Sequence, residues 1–135
     1  MTMIDAMPVS LLGTAILAII GAILAILVIV QRVRLGIEWG DGGSISMAQA
    51  MRAHANFAEM VPLALLAIAA AEILDTPQLV VIGLVVSLIV ARLLSALGLS
   101  RSLGPSFSRQ AGASVTILVT IAAGACAIGE YFLRA

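Results

Sequence analysis

Lysine is absent from this 135-residue sequence, and charge of either sign is scarce: seven arginines stand against seven acidic residues, 10% of the chain in all. A soluble domain carries about 25% charged residues. This chain therefore cannot clothe itself in a polar surface, and lipid is its expected solvent. The formal net charge is zero, which removes the basic field that nucleic-acid binding requires. The one cysteine, Cys126, excludes an intrachain disulfide, and no metal site is expected. No basic stretch precedes the first apolar run, which is also too long for the core of a signal peptide. It is expected to be a retained span.

What remains is apolar: 62% of the residues are hydrophobic. Four spans of roughly 20 residues with short turns use nearly the whole chain, so a single transmembrane domain over 1–135 is expected. The expected architecture is an all-α, integral-membrane four-helix bundle running up-down-up-down. No charge interrupts the sequence between Asp5 and Arg32, with Pro8 near the start of that run. The spacing predicts helices over about 8–35, 47–74, 77–97 and 106–133. Gly36 and Gly40–Ser44 mark the first loop, with Trp39 suited to the membrane interface and Ser46 as N-cap of the second helix. Asp75-Thr76-Pro77 separates helices two and three, and the segment 100–108, with Gly104-Pro105, reads as a turn. Gly13, Gly21, Gly124 and Gly129 are candidates for close helix contacts.

The arginines are distributed unevenly. Arg32, Arg34 and Arg52 flank the first loop, and Arg92, Arg101 and Arg109 flank the third. The other side holds Asp5, Glu72, Asp75 and Glu130, with Arg134 alone as a cation. The positive-inside rule places the Arg-rich loops in the cytoplasm and both termini opposite, with a bacterial inner membrane as the expected setting.

The second span is polar in its first half. Arg52, Asn56 and Glu59 recur at i, i+4 and i+7, within an arc of about 60° on a helix. Ionisable groups at membrane depth usually face a bundle interior or a wet cavity. An arginine fork takes carboxylates, a glutamate takes an ammonium, and an asparagine amide does either. The stripe could grip a zwitterionic, peptide-like ligand. Equally, Arg52 and Glu59 could pair with each other or with a neighbouring helix and fix packing alone. His54 points roughly 160° away from the stripe. Arg34, Arg92 and Arg109 reach the same membrane side. They either snorkel to anionic headgroups or line an anion pocket.

The run Arg52-Ala53-His54-Ala55-Asn56-Phe57-Ala58-Glu59-Met60-Val61-Pro62 resembles the R-A-H-x-N-x-x-E-x-x-P motif of the MAPEG family (membrane-associated proteins in eicosanoid and glutathione metabolism). Val33-Arg34-Leu35, Ala91-Arg92-Leu93, Gly98, Arg101 and Ser108-Arg109 are similar to that family's helix ends. The resemblance implies a homotrimer with glutathione as co-substrate between subunits, and a lipophilic second substrate arriving through the bilayer. Arg34, Asn56 and Glu59 would contact glutathione, with Arg52 and His54 contacting it or bracing the site. Arg92 and Gln110 belong to the same implied glutathione set. Arg109 would be the catalytic group, because a guanidinium beside a thiol favours the thiolate. Ser95 and Leu99 stand where well-studied members carry tyrosine or histidine, and Gln110 stands where one carries serine. Two functions follow as expectations: a glutathione-dependent transferase or peroxidase, or a non-catalytic trimeric membrane protein binding glutathione, another small anion or lipid.

Overall fold

The computed structural model describes residues 7–101 and 107–135, apart from the side chains of 97–101, 108 and 109. Asp5 and the Gly104-Pro105 turn lie outside the described residues, as do the side chains of Leu99, Arg101, Ser108 and Arg109. Four helices follow one another: α1 (Pro8–Leu35), α2 (Ile45–Ile73), α3 (Gln78–Arg101) and α4 (Phe107–Arg134). All four are long and apolar enough to cross a membrane, and the described residues contain no strand.

The ends of α1 follow from local chemistry. Pro8 sits in the first turn, where its missing N–H costs nothing. Gly36 closes the other end in the left-handed region at φ 65°. Arg32 then collects the loop carbonyls of Glu38 and Gly40 at 3.0 and 3.3 Å. Ser44, not Ser46, caps α2: its hydroxyl accepts from the Met47 amide at 3.4 Å, and the helix begins two residues earlier than the spacing predicts. Helix α3 runs on through Gly98 to Arg101, beyond the expected end at 97. A single glycine costs a helix only about 1 kcal/mol, so Gly98 does not act as a stop.

α2 and α3 form the centre of the bundle. α1 packs on both of them, and so does α4. The shared core consists of Leu17 and Leu24 from α1, Phe57, Val61 and Ile68 from α2, Val81, Val85 and Leu88 from α3, and Val119 and Ala123 from α4. Three glycines allow the helices to approach. A Cβ on Gly13 would lie 2.7 Å from Val85 Cγ1, one on Gly21 would lie 2.9 Å from Phe57 Cε1, and one on Gly112 would lie 2.5 Å from the Ala91 carbonyl oxygen. Gly124 and Gly129, also candidates for helix contacts, face open space within the subunit.

Large aliphatic residues cover the outside, including Ile19, Ile26, Leu63, Leu66, Leu118 and Ile121. In water such a continuous surface would aggregate. In a bilayer it is the solvent-facing side, and the protein is an integral, multi-pass membrane protein.

Candidate functional site

The polar stripe of α2 faces outward. Arg52 and Glu59 are exposed, and Asn56 is half-buried at the edge of the bundle. The ion pair present among the described residues joins Arg134 to Asp75 at 2.8 Å, at the other end of the molecule. Arg52 and Glu59 are therefore not paired with each other. Among the described residues neither has an ion-pair partner, and both side chains are exposed. Arg34 and Gln110 are also exposed. His54 is half-buried on another face of α2, as its angular offset requires. The Arg109 backbone lies in the first turn of α4, and its side chain is outside the described residues.

Arg92 differs from the other arginines. It is 1% exposed and lies inside the subunit. One terminal nitrogen, Nη1, donates to Asn56 Oδ1 at 2.9 Å, with Met60 Sδ at 3.7 Å. The other, Nη2, donates to Ser95 Oγ at 3.2 Å and to the Gly112 carbonyl at 2.8 Å. The buried Nε has no partner. A guanidinium in apolar surroundings must have its hydrogens met. Here neutral acceptors from α2, α3 and α4 meet the hydrogens of Nη1 and Nη2, and among the described residues none of these acceptors is a carboxylate. Of the eight residues that the sequence nominates, the structure brings Arg92 and Asn56 into direct contact. It sets Arg34, Arg52, Glu59 and Gln110 on the surface.

Met60, Ser95 and Gly112 complete this hub, and the sequence nominates none of them as a site residue. Ser95 is buried and accepts from Arg92. Its i+3 spacing from Arg92, an arginine in the apolar part of the helix, was the available signal. Gly112 gave no signal beyond its small neighbours Ala111 and Ala113.

A cavity of about 570 Å³ lies between α1, α2 and α3 toward the Arg-rich end. Leu24, Leu27, Ala53 and Leu93 form part of its apolar wall, and Gln31 and Gln49 are among its few polar groups. Its size and chemistry suit an apolar guest. The α2 residues that line it sit roughly 100° around the helix from the stripe.

The MAPEG family profile matches residues 10–129, most of the chain. The chain belongs to the MAPEG family. No individual curated protein matches it. Membership in MAPEG accounts for the four spans, and it places the chain among membrane proteins of eicosanoid and glutathione metabolism.

Proposed function

We propose that this MAPEG protein is a glutathione-dependent transferase or peroxidase acting on lipophilic electrophiles in the membrane. The observation that carries this reading is the outward-facing stripe of Arg52, Asn56 and Glu59. It places a cation, an amide and an anion on one face, and these complement a peptide that bears carboxylates, amide carbonyls and an ammonium. Arg34 and Gln110 are exposed too and would take further polar groups of the peptide.

Because the stripe points away from its own bundle, a neighbouring copy would close the site, in keeping with a homotrimer. Arg109 would hold the glutathione sulfur as thiolate, releasing the thiol proton to solvent. The sulfur then bonds to an electrophilic carbon, and the leaving group departs with the bonding pair. The apolar cavity between α1, α2 and α3 offers space for a lipophilic partner. The Arg-rich end is proposed to be cytoplasmic, in a bacterial inner membrane.

The test is conjugation of glutathione to chlorodinitrobenzene by the purified protein in lipid nanodiscs. Turnover is expected, with a fall of roughly 100-fold in Arg109→Ala, the scale of losing one charge-stabilising group. Glutathione should also raise the melting temperature, since it binds the folded state.

Ser95 supports a second reading. Its hydroxyl is committed to Arg92 and is buried, so it is not free to serve a thiol. A non-catalytic trimeric protein would bind glutathione, another small anion or lipid and show no conjugation at any pH. Binding without turnover would decide for that reading.

A further inference from the structure

We infer that Arg92 is a positioning residue that turns Asn56 into a donor-only group on the stripe, an inference that rests on the glutathione reading above. A guanidinium carries N–H groups and no acceptor. The atom that Asn56 turns toward Arg92 at 2.9 Å must therefore be its oxygen, and the structure has Oδ1 there. The Nδ2 group is directed away from Arg92. One of its hydrogens has a distant partner in Met60 Sδ at 3.8 Å. The residue is half-buried, so the amide nitrogen is the atom left for a ligand.

Without Arg92 the amide could rotate and present either atom. With it the choice is fixed, because Arg92 cannot swing away. Arg92 is 1% exposed and is held at the same time by Ser95 Oγ and the Gly112 carbonyl. Along α2 the stripe then reads donor (Arg52), donor (Asn56), acceptor (Glu59) over about 10 Å. A ligand group facing Asn56 must bring a lone pair, as a carboxylate or amide carbonyl does. An ammonium there would meet N–H groups and be refused. Arg92 also grips α4 at Gly112, one turn along from the Arg109 backbone.

Asn56→Asp tests this, because aspartate preserves an oxygen for Arg92 but offers no N–H to a ligand. The protein in nanodiscs should melt no lower than wild type, yet bind glutathione about tenfold or more weakly, as expected for one lost hydrogen bond to a charged group. Asn56→Leu should lower both melting temperature and affinity. Arg92→Lys should raise KM for glutathione about tenfold while kcat stays within about threefold, because the affected amide binds and does not react. Asn56→Asp binding glutathione as wild type does would overturn the inference.

A second readout does not depend on glutathione. The nitrogen-15 signal of the Asn56 side-chain amide should be sharp and slow to exchange in wild type, and averaged in Arg92→Lys. An unchanged amide signal in that variant would overturn the positioning role. Wild-type protein that binds no glutathione, with the amide behaving as expected, would instead overturn the ligand assignment alone.

Discussion

Gly112→Ala is expected to destabilise the bundle by about 3 kcal/mol, the upper range for overpacking a tight core. The added methyl would lie 2.5 Å from the Ala91 carbonyl oxygen and 3.0 Å from the Ser95 amide nitrogen, and it would overlap the Ser95 hydroxyl. Two of these three atoms are backbone, so no rotamer change relieves the clash and α3 and α4 must move apart. Separation also stretches the 2.8 Å bond from Arg92 to the Gly112 carbonyl, and a buried guanidinium is then left short of acceptors. Gly83→Ala is the control. Nothing lies within 4 Å of its would-be Cβ, and alanine is the better helix former by about 1 kcal/mol. Thermal melts of the two variants in the same detergent should therefore move in opposite directions. Equal melting temperatures would show that the α3–α4 contact is looser than the structure has it.

Glu72→Ala should cost about 3 kcal/mol, from the loss of charge-assisted hydrogen bonds at a helix start. Helix α1 lacks a capping side chain at Met7 and has no acidic residue in its first turn. Its exposed amides are met from α2 instead. The buried Glu72 carboxylate accepts from the Val9 amide at 2.9 Å and the Ser10 amide at 2.8 Å, and also from the Ser10 hydroxyl. Removing the carboxylate leaves these donors without an acceptor in apolar surroundings. Glu72→Gln keeps one acceptor oxygen and should fall between wild type and Glu72→Ala. Hydrogen exchange should localise the damage to the first turns of α1. Uniform loss of protection across all four helices would contradict a local clamp.

The spans were legible in the sequence because scarcity of charge permits no other solvent, and hydropathy alone delimits them. Their ends were less so. Ser44 and Ser46 have the same capping chemistry, and only the backbone geometry around Ile45 separates them. Gly98 reads as a stop in water-soluble helices, yet α3 passes through it. The stripe was legible as a 3.6-residue periodicity, because spacing within one helix defines it; the direction it faces depends on the packing of α2 against its neighbours. The Arg92 hub was not, since the contact with Asn56 requires the register of α3 against α2, across 36 positions of chain. Glu72 was visible as an acidic residue of the far side, but its hold on Ser10, 62 positions away, is a tertiary fact. Gly112 shows the same limit: a glycine in a small-residue stretch announces a close approach but not its partner.

The central claim is that the outward stripe of α2 holds glutathione. Equilibrium dialysis of labelled glutathione against the purified wild-type protein and Glu59→Gln tests it most directly. The account predicts saturable binding to wild type and affinity about tenfold weaker in the variant, the scale of losing one charged contact. No saturable binding to wild type, or equal affinity in both proteins, would contradict it.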